Sequence, residues 1–231
     1  MLSRDAVHVW WATLGQAPDS RLHALLDPVE RERMAAYRRQ PDRDRFLLGA
    51  SLVRLGCARY LGRDPAELAL DRHCDDCGKP HGKVRLREDA GLHFSVSHSG
   101  DHVGVAFATG AEVGLDVERI RDIDVAGLSR MVLAPDENAA SIVDFFRYWT
   151  RKEAAVKATG DGLRTPLSGL TVSAADQQPA VLAWPERAAA LARIRLYDLA
   201  DRPGHRAALA VLDPVPREIT ERDAAGLLTA G

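Results

Sequence analysis

Nowhere in its 231 residues does the chain gather the roughly 18 to 20 consecutive apolar residues that a membrane-spanning helix needs. Its first ten residues carry Arg4, Asp5 and His8 where a secretory leader would be apolar, so a cytoplasmic protein is the expectation. Cysteine is scarce. Three residues, an odd number, do not build a disulfide framework and suit a reducing compartment. Charge of one sign is missing as well: 31 Lys and Arg against 33 Asp and Glu leave a net charge of -2. Such a balance offers no global positive field for a nucleic-acid backbone or an anionic membrane, and any anion site has to be local. What is present is core material: 46% of the residues are hydrophobic and 28% charged, in a length that suits one large domain or two small ones.

Residues 6–11 alternate loosely and read as a first strand, followed by a loop over 15–19. Pro28 suits a first helical turn, and 29–39, rich in Glu, Arg and Ala, reads as a helix that Pro41 ends. From Asp42, a second helix shows Phe46, Leu47, Ala50, Leu52, Val53, Cys57 and Leu61 on one broad face and closes at Gly62. Residues 72–91 are dominated by turn chemistry. Strand-like runs at 92–98, 102–109 and 112–118, separated by short Gly-containing turns, predict an antiparallel meander. A long helix is expected from about 137 to 159, and short strands near 170–173, 194–199 and 206–212. The tail from Pro214 reads as polar. Strand, helices and strands thus recur in order, which predicts an α+β fold of two similar halves in pseudo-twofold arrangement, residues 1–109 and 110–231.

Chemistry concentrates in three segments. In Gly114-Leu115-Asp116-Val117-Glu118, the alternation of a strand puts Asp116 and Glu118 on one face and Val113, Leu115 and Val117 on the other. Two carboxylates about 7 Å apart repel unless a cation lies between them, and hard oxygen donors suit Mg²⁺ completed by water and phosphate. A solvated strand face is the plain alternative. Trp149, Glu153 and Lys157, spaced by four, share a helical stripe, for which an exposed ion pair is the plain alternative. Phe94 to Gly100 ends a strand in hydroxyls, His98 and a glycine, donors that suit a phosphate. Ser97 and His98 are adjacent, point to opposite faces and cannot form a nucleophile–base pair. Cys74 and Cys77, with His73 and His81 near them, raise a zinc site, but a lone C-x-x-C reads as a loop of reduced thiols. Cys57, Trp10, Trp11 and Trp184 read as core.

Taken in order, these segments resemble the Sfp-type 4′-phosphopantetheinyl transferase family. Gly114 to Glu118 matches its G-[ILV]-D-x-E strand, and Trp149 to Leu163 its W-[ST]-x-K-E-[AS]-x-x-K-x-x-G-x-G-L helix. Gly78-Lys79-Pro80 looks like its G-[KR]-P element, Phe94 to Gly100 its F-N-x-S-H-S-G strand, and Arg45 to Arg54 its R-x-x-L-G-x-x-L-x-R helix. Two departures stand out. Ser95 replaces a common Asn, and Glu30 occupies a position where the family often has lysine, with Arg31 or Arg33 as substitutes.

The resemblance implies the two-half fold of that family and transfer of 4′-phosphopantetheine from coenzyme A to a serine of an acyl or peptidyl carrier protein, releasing 3′,5′-ADP. It implies Mg²⁺ held by Asp116, Glu118 and Glu153, with water in place of any ligand from Val117. Glu153 and Lys157 become the catalytic residues, Glu153 as metal ligand or proton acceptor and Lys157 on the transferring phosphate. Arg33, Arg45, Lys79, Ser97 and His98, together with Lys157, would bind coenzyme A. Residues 160–190, with Leu163, Arg164 and Leu167, would meet the carrier. A monomer with two pseudo-dimeric halves is expected, serving fatty-acid, polyketide or nonribosomal-peptide carriers. The rivals are an Mg²⁺-dependent nucleotide phosphohydrolase using the same acids, an inactive coenzyme A-binding module, and a zinc-dependent interaction protein built on the 73–81 loop.

Overall fold

The computed structural model describes residues 1–16, 19–73, 78–79, 82–162 and 165–229. The chain forms two compact units, Met1–Gly110 with Arg217–Gly231, and Ala111–Pro216. The sequence places a boundary after 109 and carries the second half to 231. In the structure, the last residues instead return to the first unit.

The first unit runs through β1 (Ala6–Thr13), α1 (Asp19–Leu25), α2 (Pro28–Ala36), α3 (Gln40–Leu61), β2 (Leu70–Asp71), β3 (Arg85–Leu86), β4 (Leu92–Ser99) and β5 (His102–Thr109). Pro41, expected to end a helix, opens α3: its missing N–H falls in the first turn, where no intrahelical acceptor waits for it. The 22-residue α3 stops at Gly62, whose φ of 67° only glycine takes without cost. β4 and β5 form a hairpin in register from Leu92 opposite Thr109 to Ser99 opposite His102. β1 covers the other edge of β5, antiparallel. Leu48, Leu52, Val53 and Cys57 of α3 bury against Phe94, Val105 and Phe107 in one core. At Gly56 an added Cβ would strike the Phe107 ring, so a bare backbone lets α3 lie down on the strand.

α2 opens with a capping box: the Asp27 side chain accepts from the Glu30 amide and the Glu30 side chain from the Asp27 amide. Glu30 is fully buried and also accepts from Arg54 Nε at 2.7 Å and from Arg72. Arg54 reaches Asp27 at 2.6 Å and the carbonyls of Pro65 and Leu68. The acid at position 30, a departure from the family pattern, is therefore the centre of a buried ion-pair network.

The second unit contains β6 (Val113–Arg119), α4 (Val125–Val132), α5 (Ile142–Thr159), β7 (Thr171–Val172), β8 (Val181–Ala183), α6 (Ala188–Leu191), β9 (Ile194–Asp198) and β10 (His205–Leu212). β6 does not extend the β4–β5 hairpin into a meander. β5 already has neighbours on both edges, and β6 pairs instead with β10 in a separate sheet of order β6-β10-β9. The helix expected from 137 begins at Ile142, capped by Ser141, and a separate helix, α4, precedes it. The tail read as polar forms β11 (Glu218–Asp223), parallel to β1, and α7 (Ala225–Thr229), which buries Leu227 and Leu228.

The two units repeat one topology. β1, α3, β4 and β5 give the antiparallel order β1-β5-β4, while β6, α5, β9 and β10 give β6-β10-β9. This is the α+β fold in two similar halves that the order of elements predicts. Among the described residues no helix is long and apolar enough to cross a membrane.

Candidate active site

The face of β6 that meets α5 is set by alternation from Gly114. A Cβ at 114 would run into the Ala154 carbonyl and the Ala158 amide of α5, and would lie 2.9 Å from the Lys157 carbonyl carbon. Glycine on the strand and Ala154 and Ala158 on the helix, both buried, let the two backbones approach. Asp116 and Glu118, two and four residues on, follow on the same face. Leu115 and Val117, on the opposite face, are buried.

Lys157 Nζ donates to Asp116 Oδ1 at 2.6 Å; the Asp116 side chain is 5% exposed and that of Lys157 31%. Glu153, one turn earlier, is pushed above the usual carboxylate range, first by burial and next by the charge of Asp116, with Glu118 adding to the effect and Lys157 opposing it. Glu118 accepts from Arg121 at 3.2 Å, and the Arg121 guanidinium lies over the Phe146 ring of α5. Strand and helix thus bring together Asp116, Glu118, Glu153 and Lys157. Trp149, on the same stripe, turns to an apolar cluster, edge-on to Phe145 at 5.7 Å and stacked on Phe146.

Three hard-oxygen donors in mutual repulsion have the chemistry that suits a divalent cation. Lys157 and Arg121 are bonded to two of them, and among the described residues no group of three or more His, Cys, Asp or Glu side chains is already set to hold a metal ion. The cluster fits a cation by its donor set, not by a preformed cage.

Residues that sequence did not single out fix α5. Lys152 is fully buried, paired with Glu137 at 2.5 Å and donating to the carbonyls of Val132 and Leu167. Glu137 accepts in turn from the amides of Ala134 and Val172. Arg151, equally buried, grips Asp198 of β9 with two nitrogens and donates to the carbonyls of Ser173, Ala174 and Gln177. Beyond the helix, Asp161 is held by Arg187 and the Thr159 hydroxyl. A Lys-Glu or Arg-Lys pair in a helix reads as a solvated face; only tertiary packing shows Lys152 and Arg151 turned inward.

The candidate phosphate ligands of the first unit are only partly brought together. Arg45 donates to the Gly100 carbonyl at 2.7 Å and pairs with Asp42, which brings it to the β4–β5 turn just beyond Ser97 and His98. Ser97 is buried and His98 exposed, as alternation on β4 requires. Arg33 lies over the Phe46 ring, 5.7 Å from its centre. Lys79 is exposed on the segment after β2, beside Gly78. Cys74, Cys77 and His81, and with them the zinc question, lie outside the described residues, as do Leu163 and Arg164.

Both parts of the chain are similar to known proteins. The model of the 4′-phosphopantetheinyl transferase superfamily matches residues 112–210, and that of the N-terminal part of 4′-phosphopantetheinyl transferase matches residues 11–110. The 4′-phosphopantetheinyl transferase HetI of Nostoc sp. (strain PCC 7120) is 33% identical over 195 residues, covering 78% of this chain and 79% of its own. The 4′-phosphopantetheinyl transferase Sfp of Bacillus subtilis (strain 168) is 26% identical over 216 residues, 90% of this chain and 92% of its own. The 4′-phosphopantetheinyl transferase psf-1 of Bacillus pumilus is 30% identical over 191 residues, covering 78% and 79%. The chain belongs to the 4′-phosphopantetheinyl transferase family, and it is an enzyme of that class.

Proposed function

We propose that the protein moves 4′-phosphopantetheine from coenzyme A to a serine of an acyl or peptidyl carrier protein, releasing 3′,5′-ADP, with Mg²⁺ bound by Asp116, Glu118 and Glu153. The observation that supports this reading is the meeting of β6 and α5, where three carboxylates and Lys157 gather on one face. When bound, Mg²⁺ would neutralise the diphosphate and the acids together.

Lys157, bonded to Asp116 and partly exposed, would take a phosphate oxygen and stabilise charge that develops on the departing nucleotide. Glu153, whose carboxyl holds its proton more tightly than usual, suits a group that accepts the proton of the attacking serine hydroxyl. Transfer of this kind depends on alignment and charge neutralisation, and no enzyme nucleophile is needed. Arg45 with Ser97 and His98 at one strand end, together with Arg33 and Lys79, would take the remaining phosphates of coenzyme A.

Mass spectrometry of an apo carrier protein incubated with coenzyme A, Mg²⁺ and the enzyme tests the reading. A gain of about 340 Da on one carrier serine is expected. Release of 3′,5′-ADP with an unmodified carrier would identify a phosphohydrolase instead, and binding without either product an inactive coenzyme A module.

A further inference from the structure

Arg206 belongs to none of the family motifs, yet its register places it at the site. On β10 it stands directly opposite Glu118 of β6, while Ala208 and Ala210 stand opposite Asp116 and Gly114. Residues directly opposite in an antiparallel pair project from the same face. Arg206 therefore shares the α5 side of the sheet with the acids, beyond the two small alanines that make room for the helix.

Little holds its charge. Arg206 Nη1 donates to the carbonyl of its neighbour His205 and lies 3.2 Å from Asp201, a side chain 63% exposed. Such a surface pair is screened by water and contributes little. The Arg206 side chain itself is only 18% exposed, and its Nε is buried with no hydrogen-bond partner among the described residues. A cation with an unused buried donor beside an acid cluster is poised for an anion.

Charge balance says which anion. Lys157 and Arg121 are bonded to two of the three acids, so the cluster carries one net negative charge. A divalent cation makes that one positive charge, and a diphosphate with two negative charges returns it to one negative. One further cation on the same face restores neutrality. We propose that Arg206 binds the diphosphate of coenzyme A beside Glu118. This rests on coenzyme A being the donor, and it adds a residue that the motifs do not contain.

Calorimetric titration of coenzyme A into the enzyme with saturating Mg²⁺ and no carrier reads binding without turnover. Arg206→Gln should weaken coenzyme A affinity about tenfold while the ligand-free melting temperature stays near that of the parent. Arg206→Lys, which keeps the charge but loses the planar fork, should lose about threefold, and it carries the test should the glutamine variant not fold. Asp201→Asn should leave the affinity unchanged or tighten it.

An unchanged affinity in the folded Arg206 variants overturns the proposal. A shifted Mg²⁺ requirement with unchanged coenzyme A affinity also overturns it, in favour of Arg206 acting on Glu118 alone. So does an equal loss in Asp201→Asn, which would assign the effect to the turn between β9 and β10. A parent enzyme that binds no coenzyme A at all would sink the donor assignment, and is told apart by that fact.

Discussion

Gly114→Ala adds one methyl group with no charge and no chemistry, at a residue with no proposed catalytic function, and it should still disable the enzyme. The new Cβ would meet the Ala154 carbonyl, the Ala158 amide and, at 2.9 Å, the Lys157 carbonyl carbon. All three are backbone atoms of α5, so no side chain can rotate out of the way. The helix has to withdraw from β6 by on the order of 1 Å, and overpacking of this kind costs about 1–3 kcal/mol, here at the upper end because the strand cannot yield either. The same withdrawal carries Lys157 and Glu153 away from Asp116, whose contact with Lys157 is only 2.6 Å long.

A misplacement of about 1 Å costs roughly 10²-fold in rate, so transfer should fall by about that factor while the fold survives with a melting temperature several degrees lower. Thermal unfolding and the carrier mass assay measure the two effects separately. Gly226→Ala, in α7 where an added Cβ meets nothing within 4 Å, is the control and should leave turnover unchanged without lowering the melting temperature. Parent-like turnover in Gly114→Ala would show that close approach of β6 and α5 is not what assembles the site.

Asp116→Asn and Glu153→Gln should each abolish transfer, and a fully active carboxamide variant would remove that acid from the mechanism. Because its carboxyl is pushed up, Glu153 costs the fold free energy at neutral pH, so Glu153→Gln should also raise the melting temperature without metal, an advantage that vanishes under acid where both states are protonated. Lys157→Ala should lower turnover more than coenzyme A affinity; an unaltered rate would exclude it as an electrophilic helper. Glu30→Ala leaves Arg54 and Arg72 buried without their partner and should cost about 3–5 kcal/mol in urea unfolding, and a loss below about 1 kcal/mol would refute the network's importance. His8, kept below the usual imidazole range first by burial and then by Arg222, resists protonation when folded. The unfolded chain then binds more protons below about pH 6.5, so stability falls as pH falls through that region, and His8→Gln should flatten this part of the melting profile.

Much of the candidate cluster was legible because alternation and helical spacing are local rules. Asp116 and Glu118 share a face on any strand, and Glu153 and Lys157 share a stripe on any helix. What sequence could not supply was which strand lies next to which. The run at 113–119 is as strand-like as its predecessor, and only the filling of both edges of β5 sends it to β10. For the same reason Arg206 gave no signal: its place beside Glu118 follows from register between segments almost ninety residues apart. The tail was unreadable for another reason. Glu218–Asp223 offers one isoleucine among charges, and its pairing to β1 rests on backbone bonds and on contacts such as the Trp11 indole to Glu221. Pro41 was misread because proline serves a helix start as readily as it prevents a helix interior.

The consecutive letters of α5 divide their work by direction around one helix. Ala154 and Ala158 face the sheet and set its distance, Arg151 and Lys152 turn inward and tie the helix to β9, to Glu137 and to the ends of neighbouring segments, and Glu153 and Lys157 emerge at the edge where the acids of β6 arrive. Glu153 is pushed above the usual carboxylate range first by burial and next by the charge of Asp116, with Glu118 adding to it, so repulsion among the three carboxylates works against the close approach of strand and helix. Anchors one and two positions away from that glutamate oppose the push with buried, multiply bonded cations. An acid cluster crowded in this way needs such a frame, since without it the carboxylates would relax by moving apart and lose the spacing that the proposed divalent ion and diphosphate would require.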